Sequence, residues 1–387
     1  MDKKSKITVY QFAILFFWFA QYAYVPNLSS YMKELGLSLT MIGVVTGSYG
    51  FTQMVARIPL GIYSDRIGRR KVFVSAGFLL ALFANLMFLI FKQDWLLVVA
   101  RGTAGLAAAT WVIMTVLYSS YFALGNSTGA MSKLNAFNNA GKLFSMLSAG
   151  IALTIFAGYK SMFIIGAIGA AIAFVLSLGI EENVPKDRKP ITLKDFLHVI
   201  VDPRLLCVSA AMLLAQIYNT STISGFTPIL ATDLGATPFL RSILSATDIA
   251  LGTVGALLAG TPLVKKMGEK RFLITGVIGL AVITAIVPYA PNLPLLFILQ
   301  SCGGFFLGSV SALLMGLAIR HFPGDRRSTA MGCYQAIYGI GMFIGPIIVG
   351  RIGDTAGLPT GYAVVAALVL LMIPLILVWA AKEKAAQ

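Results

Sequence analysis

The chain of 387 residues is 58% hydrophobic and only 12% charged, with a mean hydropathy of +0.84, whereas soluble domains run at roughly 45–50% apolar and about 25% charged. That balance excludes an ordinary water-soluble domain and calls for hydrocarbon as the solvent. The net charge of +15 would suggest nucleic acid in a soluble protein, yet here the basic tracts are short segments between apolar runs.

A helix crossing roughly 30 Å of hydrocarbon needs about 20 apolar residues. In chain order this predicts spans at 8–30, 40–63, 72–91, 95–118, 131–157 and 161–180, then 205–231, 242–264, two within 272–319, 328–350 and 361–381. Pro288, Pro291 and Pro294 mark the turn inside the longest charge-free stretch. The first span is too long for a signal-peptide h-region and lacks a small-residue cleavage site, so it is expected to be retained. The expected fold class is an all-α membrane protein of twelve transmembrane helices in two pseudo-symmetric six-helix bundles, 1–180 and 205–387. Between them 181–204 reads as a cytoplasmic linker, in which Thr192 and Asp195 have capping-box spacing for a short interfacial helix.

Basic residues divide 22 to 5 between the two sets of loops and tails. The positive-inside bias then puts both termini in the cytoplasm of a cell whose inner membrane holds the chain. Cys207, Cys302 and Cys333 have no paired spacing, and His198 and His321 form no metal constellation, so neither disulfide, metal nor cofactor is called for. No nucleophile, base and orienter set points to an enzyme.

The two halves repeat at an offset near 200. Gly68, Arg70 and Lys71 after span two correspond to Gly268, Lys270 and Arg271 after span eight, and Ala136, Gly141 and Gly150 of span five to Ala336, Gly341 and Gly350 of span eleven.

Gly61, Asp65, Arg66, Gly68, Arg69 and Arg70 spell GxxxDRxGRR between spans two and three, and Arg101 and Gly105 give RxxxG on span four. In these residues the chain resembles the major facilitator superfamily, and the resemblance covers nearly its whole length. It implies a transporter of small solutes that works by alternating access. The family's drug/proton antiporters carry GxxxGPxxxG on span five. Here Gly341, Gly345, Pro346 and Gly350 place that run on span eleven, and span five has Gly141, Ser145, Met146 and Gly150 without the proline. The resemblance therefore reaches the transporter class further than the drug-export subfamily.

The GxxxDRxGRR residues also have a physical reading. Asp65 sits where span eleven would begin, and an acid beside a helix N-terminus gains roughly 0.3–1 kcal/mol at an exposed site. Such a contact can be broken on every cycle, which makes the loop a candidate gate latch; the alternative for its arginines is a topology signal.

Polar faces should line a central cavity, because polar groups facing lipid are costly. Candidates for solute contact are Gln21 and Tyr22 on span one, Arg101 and Trp111 on span four, Asn138 and Lys142 on span five, Gln216 and Asn219 on span seven, Gln300 on span ten, and Tyr334 and Tyr338 on span eleven. For the uncharged ones, helix-to-helix hydrogen bonding is the alternative. Arg57 is a third intramembrane cation, for which snorkelling to the interface is the alternative. Three cations against one acid, Asp248, favour organic anions or zwitterions. Asp248 on span eight and Lys142 on span five fall at nearly the same depth, and in the resembled fold those helices are neighbours. An ion pair between the halves, coupled to proton uptake and release, is therefore expected, the alternative being a static bridge that holds the bundles together. The partners implied are a small solute, protons and the bilayer, with the chain a monomer. A multidrug/proton antiporter, a solute-sensing receptor on the same fold and a lipid flippase stand as alternative functions.

Overall fold

The computed structural model describes residues 3–122, 127–156, 158–182, 199–322 and 326–386. Every regular element among them is helical. Among the described residues, ten helices have the length and hydropathy to cross a bilayer by themselves. Two more polar segments complete twelve spans: span one is Lys3–Tyr22 continued by Val25–Glu34, and span two is Leu39–Ile67. The others are span three (Arg70–Ile90), four (Asp94–Ser119), five (Ser127–Phe156), six (Lys160–Leu178), seven (Pro203–Asp233), eight (Pro238–Leu258), nine (Glu269–Ile286), ten (Leu293–Ile319), eleven (Arg327–Ala356) and twelve (Leu358–Leu370 with Met372–Ala386).

The helix boundaries follow from capping chemistry. Spans two, seven, eight and ten each begin at a residue whose side chain accepts a first-turn N–H: Ser38, Asp202, Thr237 and Asn292. Pro203 and Pro238 open spans seven and eight, where their missing N–H would have had no intrahelical partner. Span two ends at Gly68, whose φ of +69° is left-handed and whose N–H returns to the Ser64 carbonyl, so span three can start two residues later.

Successive spans alternate in direction. One face of the molecule therefore carries the ends bearing Arg66, Lys71, Lys265 and Lys270 and is termed the basic face; the other, with Lys33, Lys92 and Tyr159, is the distal face.

Several boundaries differ from the hydropathy reading, each for a local reason. Span eleven runs to Ala356 rather than 350, because Arg351 and Asp354 are helical although charged. Span eight starts at Pro238, so Arg241 lies inside its first turn and is 3% exposed, instead of belonging to a solvated loop. The segment holding Thr192 and Asp195 lies outside the described residues.

Small residues set how the two halves meet. Span two runs antiparallel to span eleven, with Gly43 against Pro346, Gly47 against Phe343, and Gly339 against Met54. Span five meets span eight where Gly150 abuts Ser242 and Phe239. Backbones approach this closely only where no Cβ intervenes.

Candidate functional site

Four spans are interrupted partway along their length, span twelve at Leu371 among them. Span one stops at Tyr22 and restarts at Val25; span four is broken at Thr110; span seven passes through a π-helix over Asn219–Phe226. Discontinuous helices commonly line solute sites, because their unwound turns free polar backbone toward a cavity. Tyr22 and Tyr24, on either side of the break in span one, contact Lys142 and Arg101 respectively.

Each of the three cations rests on an aromatic ring. The Lys142 ammonium sits 4.7 Å from the centroid of the Trp18 ring and 4.9 Å from that of Tyr22. Trp18 is itself in edge contact with Trp111 at 5.3 Å. The Arg101 guanidinium stands 4.2 Å from the Tyr49 ring and donates to the Tyr24 hydroxyl at 3.0 Å. Arg57 donates to the Gln53 side chain and, at 3.1 Å, to the Tyr338 hydroxyl of the other half. Snorkelling is thus not what Arg57 does: it is 7% exposed and reaches across the interface. A ring face offers a cation roughly 0.5–2 kcal/mol but no neutralising charge.

The opposite half contributes the acid. Asp248 is 5% exposed and accepts from the Gln300 amide at 3.1 Å. Gly304 makes room for it, since a Cβ at that position would stand 2.6 Å from an Asp248 carboxyl oxygen.

The expected Lys142–Asp248 ion pair is not formed. Lys142 turns to the rings of span one while Asp248 is held by span ten, so neither side chain crosses the gap. Gln21 spends its amide on the Ala104 carbonyl at 2.9 Å, bonding span one to span four, and Gln300 is taken by Asp248. Asn219 donates to Gln216 at 3.0 Å within span seven. The Asn138 carbonyl oxygen and the Tyr334 hydroxyl are buried without a hydrogen-bond partner, as are Nε of Arg57 and Nε of Arg101. Buried polar atoms left unpaired cost about 1–3 kcal/mol each, so they are poised to accept a partner.

At the basic face, Arg66 and Arg69 are exposed and Arg70 is buried, with Glu182 accepting the Arg70 backbone N–H at the start of span three. The Asp65 side chain lies outside the described residues.

Residues beyond the sequence-derived set complete the site. Tyr49 and Gln53 are two of them, and with Arg57, already singled out as an intramembrane cation, they form an i, i+4, i+8 stripe on span two, a helical periodicity legible in the sequence. Tyr24 carries no such signal, because its position depends on the break after Tyr22.

The Major Facilitator Superfamily profile matches residues 11–227 and 208–387. The chain belongs to this superfamily. Among superfamily relatives, the inner membrane transport protein YajR of Escherichia coli (strain K12) is 28% identical over 333 residues, covering 83% of this chain and 71% of the relative. Multidrug resistance protein 2 of Bacillus subtilis (strain 168) is 24% identical, covering 85% and 84%. The fold is shared with the crystal structure of the nucleoside transporter NupG, at a TM-score of 0.76 and 16% identity, over 98% of this chain and 99% of that one.

Within that superfamily fold, the hydrogen bonds joining the halves gather at the distal face. Arg241 donates to Asn27 at 2.8 Å, to Thr232 at 2.8 Å and to the Tyr159 hydroxyl at 3.2 Å. Asn27 donates to Ser242 at 3.1 Å, Ser30 pairs with Thr232 at 2.9 Å, and Lys33 with Asp233 at 2.8 Å. Spans one, seven and eight are thereby tied together. Toward the basic face, Gly61 and Gly332 have open space where a side chain would project.

Proposed function

We propose that this chain is a secondary active transporter that moves a small organic anion or zwitterion by alternating access, coupled to protons. The observation that carries this reading is the charge arrangement of the bundle core: Arg57, Arg101 and Lys142 lie on rings and amides, and among the described residues none of them forms an ion pair. Desolvating a cation without a counter-charge is costly. A carboxylate or phosphate on the solute supplies that charge, so binding relieves the cost.

In this reading the basic face is cytoplasmic, both termini included, in an inner membrane. The bonded distal face is the closed outer gate, and the chain works as a monomer of two bundles joined by 181–204. Solute enters from the basic side and meets Lys142, Trp18, Tyr22 and Trp111, with Arg101 behind them. Asp248, the acid facing this group, takes up the proton. Its carboxylate would bind the ammonium of a zwitterion, and protonation would release it. Closing the basic face then requires the GxxxDRxGRR loop to engage span eleven, with Asp65 at the helix start.

A second reading, export of amphipathic drugs, is favoured by the density of rings around Lys142 and by the relative named multidrug resistance protein 2. Transport of labelled anions, zwitterions and lipophilic cations into and out of energised vesicles separates the two. Saturable movement of an anion or zwitterion supports the first; movement of lipophilic cations alone replaces it with the second. Asp248→Asn tests the coupling: it should abolish uphill accumulation driven by a proton gradient while solute exchange continues. Undiminished accumulation would remove Asp248 from that role.

A further inference from the structure

Span two and span eleven carry the same pattern. Thr40, Gly43, Gly50, Gly61, Asp65 and Gly68 recur at identical spacings as Thr329, Gly332, Gly339, Gly350, Asp354 and Gly357. Thr40 to Asp65 and Thr329 to Asp354 are both 25 residues. The helices are antiparallel, and near their middles Gly50 packs on Met342 and Gly339 on Met54. A two-fold relation through that point exchanges the two helices. It sets the aspartate at the end of each against the threonine at the start of the other.

One of these two equivalent contacts is made in full. At the distal face the Asp354 carboxylate accepts from Leu39 N at 2.9 Å, from Thr40 N at 2.8 Å and from the Thr40 hydroxyl. It caps the first turn of span two, whose leading N–H groups have no partner within their own helix. Gly350 permits this, because a Cβ there would overlap the Leu39 carbonyl oxygen; Gly43 likewise abuts the Pro346 carbonyl. At the basic face the equivalent glycines, Gly61 and Gly332, would have nothing within 4 Å of a Cβ. The same glycine pair is therefore closed at one end of the helix pair and open at the other. Gly68 and Gly357 close the repeated pattern with positive φ, +69° and +83°, ending both helices just past the aspartate.

We propose that Asp354 is a distal gate latch, the symmetry counterpart of Asp65, and that the two carboxylates engage alternately. Asp354 caps span two when the distal face is shut, and Asp65 caps span eleven at Thr329 when the basic face is shut. The inference builds on the alternating-access reading and adds a residue to it. Because the two contacts lie at opposite ends of one rocking helix pair, making either one pulls the other apart. The cycle thus swaps one capped helix start for another, which keeps the two end states close in energy. A carboxylate that only anchors span two would stay bonded in both states.

The test measures distances between spin labels at Lys92→Cys and Pro291→Cys, on distal turns of the two halves, in protein with Cys207, Cys302 and Cys333 replaced by Ser and held in lipid nanodiscs. Asp354→Asn should raise the population with the longer distal separation about tenfold, as expected for weakening charge-assisted hydrogen bonds. Asp65→Asn should lower it, and the double variant should return toward the parent. Thr40→Ala, which keeps the carboxylate and removes the hydroxyl donor, should shift it in the Asp354→Asn direction by less, and stands in should Asp354→Asn fold poorly. If Asp65→Asn moves the distribution and neither Asp354→Asn nor Thr40→Ala does, Asp354 is a static cap and the proposal is overturned while alternating access stands. A single distance in the parent and in every variant would overturn both.

Discussion

Arg241 on span eight donates its Nε–H to the Asn27 side-chain oxygen on span one at 2.8 Å, so a guanidinium only 3% exposed bridges the two halves at the distal face. Asn27→Ala leaves that donor buried and unpaired, although Thr232 and Tyr159 still hold the other nitrogens. The loss should cost the distal-closed state about 1–3 kcal/mol. Thermal unfolding in detergent should show a lower midpoint. Arg241→Lys should be nearly as damaging, since an ammonium cannot keep three separately directed partners in one plane. An unchanged midpoint for both variants would mean that the bridge contributes nothing to closure.

Arg101 offers a test of solute charge. Arg101→Ala should weaken binding of an anionic solute by at least tenfold and of a neutral analogue much less, because it deletes a buried fixed charge. Arg101→Lys should recover part of the anion affinity but lose the contact with Tyr49, 4.2 Å away. Equal losses for charged and neutral solutes, measured by equilibrium binding, would make Arg101 a packing residue.

Trp18→Leu removes the ring nearest Lys142. A desolvated cation–ring contact contributes about 1–2 kcal/mol, so the ammonium should become more available to solute and to water. The expected outcome is a modest loss of thermal stability together with altered apparent affinity. A change in stability alone would restrict Trp18 to packing.

A pH effect is expected at the basic face. The hydrogen bond from Lys6 to Glu181, just beyond span six, holds the Glu181 carboxyl below the ordinary glutamate range. A depressed acid stabilises the folded state above its unfolded pKa, and that contribution is lost as pH falls through the lower, folded value. Lys6→Met should therefore loosen the amino-terminal turn at neutral pH and make no difference in strong acid. Hydrogen exchange of residues 5–10 in parent and variant, followed from pH 7 to pH 3, checks this. A gap between the two proteins that stays constant across the range would count against it.

Much of the architecture was readable because the bilayer imposes it: runs such as Val72–Phe91 are apolar for as long as hydrocarbon lasts, and the basic loops fall between them. What escaped lies where a polar side chain is spent on a neighbour instead of on water. Arg241 looked like a loop cation because a linear scan cannot see Asn27 and Tyr159 closing around it. Asp354 fell beyond the apparent span for the same reason, although its partner is the start of span two. The intramembrane cations were identifiable as charges within apolar runs, but their neighbours were not. Lys142 lies on the Trp18 and Tyr22 rings, and Asp248 is held by Gln300 instead. The span two to span eleven likeness is likewise invisible at the offset of the two halves, since it relates helices of opposite direction.

The π-helix of span seven has a mechanical consequence. Its eight residues, Asn219–Phe226, bond i to i+5, so the segment stores about one residue of surplus chain relative to α-winding. Releasing that surplus would turn everything beyond it by about 100° about the span axis, the angle one residue occupies in an α-helix. Beyond it lie Pro228 and Thr232, which hold Ser30, and Asp233, which holds Lys33; before it lies Gln216. Slack stored at this depth lets the 7 residues beyond it swivel while the 16 before it keep their register. One continuous helix can thus let go of its neighbour at the membrane surface without disturbing what it presents to the bundle core.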